Sequence, residues 1–466
     1  MRRLLVAVAL LCALGQVPVV AQANLRDSRP PDGAHLTRAP QFLRLAFDAP
    51  LEFGSGGLSG RIADARLHGF GALAFRLPIL PTKLDPQVAW VRLPGVLPAG
   101  AYRVSWRVMT EDGHVVDGST ALRVGSSPAA VPVAPRLAAR PGVWAAGVGR
   151  AVILVGLLVA TGLVVLRWLV SAPAWAAGGL VPPGRPDDAE TFRDRAASAL
   201  RLTAPGWWLA WSAALGASLI GVAVVCVATL VALHDGPRDL GELLTATRLG
   251  SAMFIIAWCC VLALAVGVMR RPHLGPGPGI AAAAALALPP VAGLGAMSWL
   301  GHAGVGTDAT LNIGADLLHN LATAAWIGGL VGLAVYVLPA GRRMADADRL
   351  RFVAPAVVRF SSLALASVAV LVVTGVYRAL AEVASVGDLT GTTYGRALLV
   401  KLGLFALMLC VGGVNRFRLH PRLERAALDL PGGDPAAAGA LARSVRAELV
   451  LAAAVLVAVG VLINTA

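Results

Sequence analysis

About eight apolar runs, each close to the roughly 20 residues that a helix needs to cross a bilayer, dominate this chain of 466 residues. They lie at roughly 144–169, 207–233, 249–269, 279–300, 310–338, 356–380, 396–414 and 446–464, and the Gly interruptions inside them are common in membrane helices. A composition of 57% hydrophobic against 14% charged residues, with a mean hydropathy of +0.72, leaves too little polar surface for a soluble fold to cover them. The expected architecture is an all-α membrane bundle. The formal charge of +14 does not point to nucleic acid, because the basic residues lie mostly in short segments between apolar runs, where they orient a protein in a bilayer. All 5 cysteines fall in hydrophobic stretches without a CxxC pair, which argues against disulfides and thiolate zinc sites.

The N-terminal part reads differently. Met1, Arg2 and Arg3 precede an apolar run from Leu4 to Val20 and then Ala21-Gln22-Ala23, the pattern of a signal peptide over 1–23. From 24 to 125 the apolar residues come in short alternating runs, as in Phe42 to Phe47, Ala89 to Leu93 and Tyr102 to Met109, separated by Pro and Gly turns. That spacing predicts one all-β, Ig-like sandwich. A Pro/Ala-rich stretch, 126–143, reads as a linker to the membrane domain, 144–466. If the β-domain is exported, Arg185, Arg193, Arg195 and Arg201 lie in the first cytoplasmic loop, and pairs such as Arg270-Arg271 and Arg342-Arg343 lie in later ones. Outer loops are poor in arginine, Arg238 and Arg378 being there. This bias predicts a multi-pass inner-membrane protein with its β-domain and C-terminus on the periplasmic side.

With that topology His234 closes helix two, His302 closes helix four and His319 lies early in helix five, all in the outer third. Beside the thioethers of Met253 and Met297, these imidazoles offer the soft and borderline ligands that copper accepts. Each has a plainer reading, since a membrane histidine also serves to hydrogen-bond a neighbouring helix and a lone methionine usually packs. Asp316, three residues before His319, shares its helical face. It either orients the imidazole, serves as a ligand, or pairs with Lys401 of helix seven. In the β-domain, Asp112-Gly113-His114 puts a carboxylate and an imidazole on a turn after a strand, a pair that suits Cu(II) but is also an ordinary surface turn.

Two groups of motifs carry a resemblance. Leu25 to Ala34 (LRDSRPPDGA) and Tyr102 to Gly118 (YRVSWRVMTEDGHVVDG) resemble the periplasmic copper-binding CopC family. Asp316 to Gly329 (DLLHNLATAAWIGG), Thr374-Gly375 and Tyr394 to Leu423 (YGRALLVKLGLFALMLCVGGVNRFRLHPRL) resemble the CopD family of copper-resistance proteins. The ordered pairing is more specific than either motif set. It implies a CopC-like sandwich fused to an eight-helix CopD-like bundle. It also implies a Cu(II) site made by an N-terminal histidine with the Asp and His of the turn. Asp112 and His114 match that pattern. The histidine position falls on Gln22, and cleavage after Ala23 leaves Asn24 first, so Cu(II) binding is expected to be weak or absent unless the fold brings in His35 or His68. No methionine-rich run offers a Cu(I) site.

The resemblance implies copper handling at the inner membrane, by import or transfer through the bundle, without enzymatic activity. Capture is expected at His302 and His319 with Met297 and Asp316 assisting and His234 as a lesser candidate. The expected partners are the copper ion, the lipid bilayer and a periplasmic copper chaperone. No ATP-binding loop is present, so transport would be facilitated or gradient-driven. An alternative is a haem-binding or copper-delivery assembly protein for an oxidase, although the inner half of the bundle lacks the histidines that haem requires. A sensor or scaffold anchored by the bundle ranks last, because eight helices with polar groups exceed what an anchor needs.

Overall fold

A computed structural model describes residues 25–52, 64–69, 75–81, 85–126, 130–132, 141–177, 189–233, 240–271, 275, 277, 279–301, 308–382, 387–391, 393–428 and 436–465. The expected signal peptide, His234 and His302 lie outside the described residues.

Among the described residues ten strands form two sheets: β1 (Leu25–Arg29), β2 (Ala34–Leu36), β3 (Phe42–Phe47), β4 (Leu51–Glu52), β5 (Asp64–His68), β6 (Phe75–Leu77), β7 (Ile79–Pro81), β8 (Val88–Arg92), β9 (Gly100–Thr110) and β10 (Val115–Val124). One sheet has the order β1-β3-β8-β7; the other runs β2-β10-β9-β5-β6, with β4 also paired to β9. The period of two in the sequence sets which face is buried. Along β9, Tyr102, Val104, Trp106 and Val108 point into the core, meeting Leu43, Leu45 and Phe47 of the other sheet, while Arg103, Ser105 and Arg107 are only partly buried. The Tyr102 hydroxyl donates to the Pro98 carbonyl at 2.8 Å, the kind of corner that Ig-like sandwiches use. At the far end of β9 the alternation fails. Met109, Thr110 and Asp112 are all buried, because the helices cover that end of the sandwich.

Eight long helices follow: α1 (Pro141–Leu166), α2 (Ala189–Leu233), α3 (Arg248–Arg270), α4 (Ile280–Leu300), α5 (Ala309–Thr323), α6 (Asp346–Glu382), α7 (Thr393–Val414) and α8 (Ala437–Thr465). Helical turns, π-helical in part, extend α1 to Ala176, α5 to Gly341 and α7 to Ala427. Seven of these runs are long and apolar enough to cross a membrane; α8 has the length but carries Arg443, Arg446 and Glu448 in its first half. Two sequence expectations are corrected here. Arg193, Arg195 and Arg201 belong to the N-terminal part of α2 rather than to a loop, and Arg378 lies within α6 rather than in an outer loop. An apolar run marks only the stretch in lipid, whereas these helices continue past it with a polar face. The centre of the bundle is built on close backbone contact. A Cβ on Gly162 of α1 would come within 2.5 Å of the Gly328 Cα in the extension of α5, so α1 and α5 touch through glycines.

Candidate metal-handling site

The β9–β10 turn is the point where the two parts of the molecule meet. Gly113 holds φ +79, a left-handed conformation that glycine adopts without strain. Space makes the same demand, since a Cβ there would lie 2.9 Å from both an Arg150 nitrogen and a Leu249 methyl. Arg150, in the first turns of α1, is buried; its Nη2 donates to the Gly113 carbonyl at 2.7 Å and its Nη1 lies 3.0 Å from His114 Nε2. A guanidinium only donates, so Nε2 is the accepting nitrogen and the proton of the neutral ring sits on Nδ1. That nitrogen is 3.0 Å from Asp112 Oδ2. The other oxygen of Asp112 accepts from the Thr110 hydroxyl and, at 3.4 Å, from the His114 amide. Asp112, His114 and Arg150 thus form one chain from the sandwich into the first helix. A second contact stands beside it: Arg248, opening α3, donates to Glu111 at 3.2 Å and to Glu52 through its backbone N–H at 3.0 Å. Its guanidinium covers the Trp299 ring of α4 at 5.0 Å.

β1 starts at this same end, for Leu25 pairs with Phe47 and the Pro50 carbonyl accepts from the Glu111 amide at 3.0 Å. Gln22 and Asn24 lie outside the described residues. Neither histidine that could have replaced the missing one comes near. His68 pairs with Arg103 and His35 with Arg123, both toward the opposite end of the long strands; seven residues from Arg103 to Thr110 span about 24 Å. His68 instead bonds the Ser105 hydroxyl at 2.8 Å.

Within the bundle, one face of α5 carries a ladder of polar contacts. Asn312 accepts from the Tyr377 hydroxyl at 2.7 Å, Asp316 pairs with Arg378, and His319 Nδ1 lies 2.9 Å from Thr374 Oγ1, all three partners belonging to α6. Asn320 then joins Asp316 at 3.0 Å to Ser298 of α4 at 3.3 Å. Sequence spacing correctly puts Asp316 and His319 on one face, but the carboxylate bonds Arg378 and Asn320 and not the imidazole. It pairs with Arg378 of α6, the helix packed along this part of α5, a partner the sequence reading had not offered beside Lys401. The His319 tautomer is fixed as well. The Thr374 hydroxyl gives its proton to the Val370 carbonyl at 2.7 Å, so Oγ1 receives the Nδ1 proton of His319 and the Nε2 lone pair remains. Gly375 lies against the ring edge, where a Cβ would stand 3.9 Å from Cε1. Met297 is half-buried and packs on the core, and Met253 is wholly buried in it. Among the described residues no group of three or more His, Cys, Asp or Glu is gathered closely enough to hold a metal.

Residues 25–125 match the CopC domain family, and residues 354–462 match the family described as copper resistance protein D, CopD. The CopC match thus precedes the CopD match along the chain. Copper transport protein CutJ of Bacillus subtilis (strain 168) is 35% identical over 120 residues, 26% of this chain and 21% of that protein. Copper resistance protein D of Pseudomonas syringae pv. tomato is 33% identical over 169 residues, 35% of this chain and 52% of that protein. The matches therefore span at most about half the length of these curated relatives. Among solved structures, CopC from Methylosinus trichosporium OB3b is 21% identical, with 21% of this chain on 88% of that one. The methionine-rich PcoC from Escherichia coli is 25% identical, with 22% on 99%; both have a TM-score of 0.18.

The CopC domain meets helices that precede the CopD match, and the match begins within α6, so Thr374 falls inside it and His319 before it. Two residues of this constellation were given no site role in the sequence reading, and a third polar residue elsewhere in the bundle was passed over. Arg150 and Arg378 were visible as arginines inside or bordering apolar runs, a signal that marks function by default in membrane segments. Glu448 of α8, buried and hydrogen-bonded by Asn415, gives the same signal in the eighth run.

Proposed function

We propose that this protein takes up copper at the exported face of the inner membrane and passes it from the CopC turn into the CopD bundle for import. The observation that carries this reading is the docking of Asp112 and His114 through Arg150, which joins this turn directly to the first helix of the membrane bundle. Copper is the cargo here. Arriving copper would compete with Arg150 for His114 Nε2, so occupancy of the turn and docking of the domain are alternatives, and a weak turn suits a site that must release its ion. The receiving ligand in the bundle is His319 through Nε2, with His302 as the second imidazole and Met297 nearby; His234 is a lesser candidate. Asp316, already paired with Arg378, serves to balance charge rather than to bind. A periplasmic copper chaperone would supply the turn, and the reaction needs no catalysis. In this reading the β-domain and the C-terminus face the periplasm.

The test is copper accumulation in cells making the protein, read by elemental mass spectrometry. Wild type raises cellular copper, and His319→Ala or His302→Ala abolishes the gain at equal protein level. A gain that survives both substitutions would sink the proposal, and no gain even in wild type would favour copper delivery to an oxidase without transport.

A further inference from the structure

At the end of the bundle away from the CopC domain, the extension of α5, the start of α6 and the start of α8 enclose a cavity of about 510 Å³. Four arginines line it: Arg342, Arg349, Arg443 and Arg446. Arginines at one end of a membrane bundle are common, but their convergence on one space from three segments is not explained by that bias. No carboxylate lines the cavity among the described residues. Asp346 pairs with Arg349 at 2.7 Å from the solvent side, being 86% exposed, and leaves Arg349 Nε buried without a hydrogen-bond partner. Arg446 spends its Nε on the Ala442 carbonyl of its own helix at 3.1 Å, and Arg342 and Arg443 have no acidic partner among the described residues. Leu338 and Val353 give the same cavity an apolar wall.

Arg342, Arg443 and Arg446 are exposed and Arg349 is half-buried, so the space is open to an anion from outside, and the rigid fork of N–H donors on each guanidinium matches the oxygens of a phosphate. We propose that this cavity binds a phosphate group, carried by the head of an anionic phospholipid or free in solution. Basic pockets between membrane helices at the level of the head groups are suited to anionic lipid, and here the apolar wall would receive the start of an acyl chain. Such a ligand would bridge α5, α6 and α8.

The experiment uses the full-length protein, purified and delipidated in detergent, and follows its unfolding midpoint while phosphatidylglycerol, phosphatidylcholine or inorganic phosphate is added. Phosphatidylglycerol raises the midpoint of wild type and phosphatidylcholine does not. In R342Q/R443Q the half-saturating concentration rises on the order of 20-fold, two basic contacts being lost. If R342Q/R443Q does not fold, Arg446→Gln alone gives about a fivefold rise. R270Q/R271Q, which removes two arginines from the same end of the bundle outside the cavity, responds as wild type does. A response to inorganic phosphate as well as to the lipid identifies the free anion, and a response to the lipid alone identifies the head group. The proposal is overturned if the cavity variants respond as wild type does, or if R270Q/R271Q loses the response equally, since diffuse surface charge would then account for it.

Discussion

The CopC turn and the α5–α6 ladder use the same three residue types, a carboxylate, an imidazole and a guanidinium, and wire them differently. In the turn the carboxylate holds the imidazole, and the guanidinium closes its remaining nitrogen: Asp112 to His114 at 3.0 Å, His114 to Arg150 at 3.0 Å. In the ladder Asp316 holds Arg378, and His319 is left to a hydroxyl, Thr374 at 2.9 Å. The first arrangement occupies both ring nitrogens, and the second leaves Nε2 with its lone pair. Histidine count says nothing about this difference. What decides whether an imidazole can take a metal is the partner of its other nitrogen.

The largest expected effect tests the wiring of the ladder. Arg378→Met strands the Asp316 carboxylate among helices and should cost about 2–3 kcal/mol, below the usual figure for breaking a fully buried pair because the Arg378 side chain is 36% exposed. D316L/R378M, which removes both charges, should recover most of the unfolding midpoint in detergent. A harmless single substitution would mean that Lys401, the partner expected from the sequence, can replace Arg378. Next comes Thr374→Val, nearly isosteric, which removes the acceptor that fixes the His319 tautomer. The copper gain of cells should then require about tenfold more external copper. An unchanged dose response would remove Thr374 from the site and with it the argument for Nε2.

The parts of the fold that periodicity controls were legible in the sequence: a sandwich before a bundle of about eight helices, and Asp316 with His319 on one helical face. What was not legible depends on which helix stands beside which. That Arg378 reaches Asp316 follows from the packing of α6 against α5, which no spacing within one helix reveals. Helix ends were misread for another reason: the first turns of α2 and α6 are polar on one side, so hydropathy cannot follow them out of the membrane. The motif Thr374-Gly375 stood in the sequence with no role, and the structure supplies one, a hydroxyl that orients His319 and a missing side chain that leaves room for its ring.

The turn should respond more gently, and in the opposite sense. Arg150→Met leaves the Asp112–His114 bond intact while freeing His114 Nε2. Removing a competing hydrogen bond to a charged group, worth on the order of 1.5 kcal/mol, should raise the Cu(II) affinity of the full-length protein about tenfold, read by electron paramagnetic resonance titration. Unchanged or weaker binding would show that Arg150 does not compete with the metal.

The smallest effect belongs to a third imidazole, which has no carboxylate partner among the described residues. Burial first, and then the charges of Arg66 and Arg103, hold His68 below the ordinary histidine pKa. The folded state therefore resists a proton that the unfolded chain accepts near 6.5. The sign follows from proton counts: above that pH neither state is protonated and His68 is neutral to stability, while as pH falls through it the unfolded form gains the proton first and the CopC domain loses stability. His68→Gln keeps a polar partner for Ser105 at the same place and should flatten this part of the curve. The measurement is the difference in unfolding midpoint between variant and wild type from pH 8 to pH 5, expected to grow in favour of the variant as the pH drops. A difference that stays constant, or grows in favour of wild type, would mean that a carboxylate unseen beside this ring makes it resemble His114 after all.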